Sequence, residues 1–278
     1  RPEIAPLQFL EECPFLYGYW SIIGGDWDLA AILAVPDSPH IQRWLRMFTR
    51  LARRWGSDVL VSEILRSGTS YSTRYYEPSR GTWMIPWAAL GSWFARGCPA
   101  DRVEAGGVVL RERPRVPVRL NSLDMRIIKA IRKGRVSLSA IRNVVRAGQN
   151  RVAVHLRKLR SSGCIVSEWE VHFIGLVEEV MVHSANRTVS ERLLKLASVL
   201  PRCIASTDEF GKTILFMRLP EGGAVPLARI LDCDGISFSV LGEYVYGGWG
   251  FPSEMWDPQE QRWSTDPNIA LQWLNTLR

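Results

Sequence analysis

The sequence predicts an α+β chain in which a winged helix-turn-helix stands between two halves built of strands and helices. Three observations carry this reading: a basic segment near the middle with helical apolar periodicity, period-two alternation on both sides of it, and a likeness between the two flanks. The length of 278 residues, with 46% hydrophobic and 23% charged, fits two or three small globular domains. No run approaches the ~18 uninterrupted apolar residues of a membrane span. The opening residues lack the basic-then-apolar pattern of a secretory leader.

The charge is concentrated. Between Leu120 and Glu170 eleven cationic residues (Arg126, Lys129, Arg132, Lys133, Arg135, Arg142, Arg146, Arg151, Arg157, Lys158, Arg160) face three acids (Asp124, Glu168, Glu170), a net charge of +8 where the whole chain carries +7. Such a segment can displace counterions from phosphates, the electrostatic source of nucleic-acid affinity. A pI near 9.4 agrees with this without proving it.

The same segment reads as three short helices. Leu123, Ile127 and Ile131 recur behind a cap expected at Ser122. Leu138, Ile141, Val144 and Val145 follow a cap at Ser137, and Val152, Leu156 and Leu159 form the third stripe. Gly134, Ala147-Gly148 and Gly163 punctuate them, and "CIVSEWEVHF" then alternates like a strand. Three helices with a tight turn before the third, followed by a strand, describe a winged helix-turn-helix. Ser137 at the head of the second helix, with Gln149, Asn150, Arg151, His155, Arg157 and Lys158 on the third, are the candidate DNA contacts. A charged, solvated packing unit is the structural alternative.

The stretch "LNSLDMRIIKAIRKGRVSLSAIRNVVRAGQNRVAVHLRKLRSSGCIVSEWEV" resembles the DNA-binding domain of the leucine-responsive regulatory protein/AsnC (Lrp/AsnC) family. Leu123-Asp124, Ile127-Ile128, Arg151-Val152 and "LRKLRSSGCI" carry the likeness. Arg126 or Ile127 stands where the family often has a second acid, a change expected to add phosphate affinity. Gln149-Asn150 replaces the usual Ser-rich start of the recognition helix, so no operator sequence carries over. The resemblance implies a ferredoxin-like βαββαβ sensing domain (of the RAM type) after the helix-turn-helix, an amino acid or other small effector, and double-stranded DNA as partner. It also implies a homodimer or higher homo-oligomer, since two reading heads on adjacent half-sites multiply affinity.

The C-terminal half fits βαββαβ: "EEVMVHSA" as a strand, "VSERLLKLASVL" as a helix with Leu193, Leu194 and Ala197 on one face, and "RCIASTD" and "KTILFMRLP" as a hairpin turning at Glu209-Phe210-Gly211. "VPLARIL" is a helix and "ISFSVLGEYVYG" the closing strand. The N-terminal half parallels it. "PFLYGYWSIIGGDWDLAAILAVP" matches "PRCIASTDEFGKTILFMRLP", "HIQRWLRMFTRLARRW" matches "VPLARIL", "DVLVSEIL" matches "ISFSVLGE", and "PSRGTWMIP" matches "PSEMWDP". The expectation is two ferredoxin-like sensing domains, 1–97 and 171–278, flanking a linker at 98–119 and the winged helix-turn-helix at 120–170. In this alignment Arg1 falls inside the first helix of the first sensing domain, so more sequence is expected upstream, with or without a second helix-turn-helix; a shortened domain that borrows a partner's strand is the alternative. The linker "RERPRVPVRLNS" has prolines that favour extension and four arginines available to phosphate or serving only as a spacer.

Within the first half, "GGDWDLAAILAVP" resembles a recurrent hairpin of the same family through Gly25, Asp26, Trp27, Asp28 and Leu29. Gly24-Gly25 suits a tight turn, and Asp26 can bond the turn's own amides. The resemblance implies Gly25, Asp26 and Asp28 as candidate ligand-binding residues, and turn architecture alone is the other reading. Two carboxylates without His or Cys nearby make a thin metal site, so none is assigned. No cofactor is called for.

Five scattered cysteines without a CxxC pair read as buried small hydrophobes in a reducing cytoplasm, and localisation is expected to be cytoplasmic, at the nucleoid. The Trp-rich tails (Trp83, Trp87, Trp93, Trp249, Trp256, Trp263) are expected to pack over a sheet or a partner, or to stack a base or ligand. Arg-rich, Lys-poor composition points to a thermophile, and the Lrp/AsnC resemblance implies an archaeal-like regulator. Phosphate-cradling, nucleophile-elbow and zinc-protease motifs are absent from the sequence. The first functional expectation is therefore a sequence-specific DNA-binding transcriptional regulator and not an enzyme. The alternatives are an RNA- or ribosome-binding or architectural chromatin protein and, more remotely, an enzyme resembling the sirohaem decarboxylases. Against the enzyme, His40, His172 and His183 show no recognisable spacing.

Overall fold

A computed structural model of the chain describes residues 10, 16–25, 27–33, 46, 49–50, 53, 60–98, 108, 110–112, 118–165, 174–246, 256–260 and 262–263. The strands are β1 (Leu16–Gly24), β2 (Leu29–Leu33), β3 (Ile64–Tyr71), β4 (Tyr76–Glu77), β5 (Thr82–Trp83), β6 (Arg111–Glu112), β7 (Leu176–Ser184), β8 (Arg202–Asp208), β9 (Thr213–Pro220), β10 (Ile236–Tyr246), β11 (Trp256–Asp257) and β12 (Arg262–Trp263). The helices are α1 (Trp87–Ala95), α2 (Ser122–Arg132), α3 (Leu138–Val145), α4 (Gln149–Ser161), α5 (Arg187–Ala197) and α6 (Ala224–Ile230). The α+β class holds: eight strands form one curled antiparallel sheet in the order β2-β1-β10-β7-β9-β8-β3-β6.

The C-terminal elements run β7-α5-β8-β9-α6-β10, with the strands side by side as β10-β7-β9-β8. Alternation makes them strands. On β9, Thr213, Leu215, Met217 and Leu219 are buried while the residues between them are half-buried. The buried face meets Val180 and Val182 of β7, Leu193, Leu196 and Ala197 of α5, Leu227 of α6, and Leu90, Trp93 and Phe94 of α1. Each such side chain contributes about 1.5–3 kcal/mol on leaving water. The β8–β9 turn closes through Asp208, whose Oδ1 accepts from the amides of Phe210 (2.9 Å) and Lys212 (2.8 Å), with Gly211 at φ +73°.

The two flanks do not build separate sheets. β1 pairs with β10, and β3 pairs with β8, so each edge of the C-terminal four strands receives a strand from the N-terminal half. In the sequence alignment β1 corresponds to β8, while the run aligned with β10, at 58–65, overlaps β3 only at Ile64 and Leu65. Both halves also end in a two-stranded ladder, Tyr76 opposite Trp83 and Trp256 opposite Trp263. Trp20 of β1 fastens the junction: its ring stacks on Phe216 with centroids 4.7 Å apart, and its indole N–H donates to Glu179 at 3.2 Å.

One strand lies later than the pattern predicts. The apolar run "DVLVSEIL" points to a strand at 58–65, whereas β3 covers Ile64–Tyr71 and residues 60–63 carry no regular structure. Pairing with β8 decides the register, and Ser70 then reaches the carbonyl of Ala197 on α5 at 3.3 Å. The helix expected over "HIQRWLRMFTRLARRW" and the wing strand expected over "CIVSEWEVHF" fall mostly outside the described residues. Of the cysteines described, Cys98 and Cys203 are buried but Cys164 and Cys233 are exposed, so only part of the set behaves as small hydrophobes.

Candidate nucleic-acid interface

Helices α2, α3 and α4 share their own core of Leu123, Met125, Ile127, Ala130, Ile141, Val145, Val152, Leu156 and Leu159. Local chemistry sets their limits. The cap of α2 is Asn121, one residue before the expected Ser122. Its side chain accepts from Leu123 and Asp124 amides (2.9 and 3.0 Å), and Asp124 Oδ2 accepts from the Asn121 amide (2.9 Å), a closed capping box. Gly134 ends the helix at φ +76°. Ser137 caps α3, its hydroxyl accepting from Ala140 N at 3.2 Å, and Arg146 leaves that helix in the left-handed region at φ +49°. Gly148 then starts α4.

The core stripe of α4 fixes what faces outward. Gln149, Asn150, Arg151, Val154, Arg157, Arg160 and Ser161 are exposed. At 100° per residue, Asn150, Val154, Arg157 and Ser161 form a stripe opposite Val152, Leu156 and Leu159. Asn150, Arg151 and Arg157, three of the candidate DNA contacts, thus lie on the solvent-facing side of α4, while Gln149 is exposed at its first turn. Lys129, Lys133, Arg135, Arg142 and Arg146, on α2, α3 and the turns that follow them, are exposed as well.

Two candidate contacts lie elsewhere. His155 and Lys158 turn toward Asp124, whose side chain is fully buried: His155 Nδ1 stands 2.6 Å from Oδ1, and Lys158 Nζ donates to Oδ2 at 2.6 Å and to the Arg119 carbonyl at 2.7 Å. Burial alone raises the Asp124 pKa. The hydrogen bonds from Lys158, His155 and the Asn121 amide outweigh it and hold the carboxyl below its ordinary range. Asp124 therefore ties α2 to α4, a role that no local sequence pattern announces. Arg126, expected on phosphate, donates from Nη1 to the Val145 carbonyl at 3.1 Å and closes the C-terminus of α3. Of the linker arginines, Arg111 sits in β6 beside Glu112, which pairs with Arg66 at 2.8 Å.

Of the candidate ligand residues, Gly25 and Asp28 are described. Gly25, at φ +130°, lies so close to β10 that an added Cβ would stand 2.5 Å from the Phe238 carbonyl oxygen and 2.6 Å from Ser239 Oγ. Asp28 is exposed, and its carbonyl accepts from Ile22 N at 3.0 Å. Asp26 falls outside the described residues. A cavity of about 720 Å³ opens beside Trp83, Met84, Trp87, Pro220 and Glu221. Trp83 donates to the Ile174 carbonyl at 2.6 Å, and Trp256 packs against the core shared by α2, α3 and α4. No cluster of His, Cys, Asp or Glu able to hold a metal occurs among the described residues. No described helix is long and apolar enough to cross a membrane.

Comparison with family models, with curated proteins and with solved structures finds no match for this chain.

Proposed function

We propose that the chain is a sequence-specific DNA-binding transcriptional regulator that reads the major groove with α4. The observation that carries this is the single outward surface of α4, where Asn150, Arg151 and Arg157 stand exposed at the centre of the segment holding the chain's excess charge. Asn suits adenine, and Arg suits guanine or phosphate. A first helix locked to the third through Asp124 gives the rigid mount that base reading needs.

The Lrp/AsnC resemblance extends the proposal to a winged helix-turn-helix with a ferredoxin-like unit at β7–β10, supported by the strand order β10-β7-β9-β8. Self-association that places two α4 helices on neighbouring half-sites belongs to the same reading, as does an amino acid or other small effector. The spread of cations over α2, α3 and the turns favours one competitor, a sequence-independent clamp on nucleic-acid phosphates.

Salt titration of binding to a duplex selected from random DNA tests the proposal. If Arg157 grips phosphate, Arg157→Ala lowers the slope of log affinity against log salt by about 1. Asn150→Ala leaves that slope unchanged but narrows the gap between selected and random duplexes. Equal affinity for selected and random duplexes would reject the regulator reading and leave the clamp.

A further inference from the structure

Val154 is more than half exposed, at 54%, in the middle of α4. It occupies the centre of the outward stripe, one turn after Asn150 and one before Arg157, and points directly away from the buried Val152, Leu156 and Leu159. Folding gives no reason for valine there. A β-branched residue in a helix interior loses side-chain freedom relative to alanine, and this one regains little by burial. Two other valines of the unit, Val136 and Val144, are exposed as well, but neither stands on α4.

Resting on the DNA-binding reading above, we infer that Val154 is a specificity-determining residue that packs against the C5-methyl group of a thymine in the major groove. That methyl is the apolar feature distinguishing thymine's groove edge, and an aliphatic side chain recognises it by contact. The charge around the stripe selects the occupant: an apolar spot ringed by Asn150, Arg151 and Arg157 complements a methyl set among phosphates and base acceptors. A greasy protein surface would leave those cations desolvated and unpaired. From Asn150 to Val154 the helix rises about 6 Å. The thymine therefore lies within about two base-pair steps of the base that Asn150 contacts, at about 3.4 Å per step.

The test uses the full chain and the best duplex recovered from a random pool. Each thymine is replaced singly by deoxyuridine, which removes only the methyl group, and affinity is measured for wild type and for Val154→Ala. In wild type one deoxyuridine position per half-site is expected to weaken binding about fourfold, the ~0.8 kcal/mol of one buried methyl. Val154→Ala should bind the parent duplex more weakly by a similar factor and be indifferent to that deoxyuridine. Val154→Ile, which keeps the aliphatic surface, should restore the sensitivity. Circular dichroism checks that each variant keeps its helices. If no deoxyuridine matters, or if it costs wild type and Val154→Ala alike, the inference is overturned while DNA reading stands. A Val154→Ala that changes only the oligomeric state overturns it in favour of a protein contact. If the pool yields no preferred duplex, the DNA-reading proposal fails and takes this inference with it.

Discussion

Asp124 shows how much one residue decides. It closes the capping box of α2, receives His155 and Lys158 from α4, and is fully buried while doing so. Removing it strands two donors at the helix junction, and Asp124→Ala should destabilise the chain by about 3 kcal/mol in urea melts. Because the folded carboxyl titrates below its unfolded value, its contribution is complete above the ordinary carboxylate range and disappears as pH falls through the folded value. Wild type should therefore lose stability between about pH 5 and pH 2 more steeply than Asp124→Asn, as acid-denaturation curves would reveal. The residue also gives His155 and Lys158 a partner within the fold. Their types suit groove contacts, and their distance of 31 and 34 positions from Asp124 hides the partner. The available signal was their i, i+3 spacing at the border of the apolar stripe, together with an Asn-x-x-Asp cap.

Elements with their own local chemistry were legible in the sequence. The three helices of the basic segment fall where periodicity, Ser137 and the glycines put them, and the β8–β9 hairpin turns at Glu209-Phe210-Gly211. β3 was misplaced because its sequence, ILRSGTSY, is too polar to announce a strand; the ladder to β8 supplies the stability that local pattern lacks. The β1–β2 turn depends on Gly25, whose φ and closeness to β10 leave no room for a side chain. Gly25→Ala should cost about 1–3 kcal/mol and loosen the hairpin, a change that hydrogen exchange at β1 amides would register. The observed geometry gives Gly25 a packing reason to be glycine that needs no ligand.

At the scale of the whole molecule, the way the two flanks combine was not legible. Repetition predicts two similar units and is silent on whether each closes its own sheet. Here β1 and β3 go to opposite edges of the C-terminal strands, and α1 supplies Leu90, Trp93 and Phe94 to the same core. Residues 171–278 expressed alone would expose the long edges of β8 and β10. They should self-associate or precipitate, as sedimentation would show, whereas a stable monomer would contradict the shared-sheet account.

The central claim is that this assembly presents α4 to read DNA sequence. The most direct measurement is capture of fragmented genomic DNA at low and high salt, comparing wild type with Arg151→Ala. The account predicts that a few fragments survive high salt with wild type and that Arg151→Ala loses those fragments selectively. Uniform binding of all fragments, weakened evenly by salt and by the substitution, would contradict it and leave a basic clamp with no sequence to read.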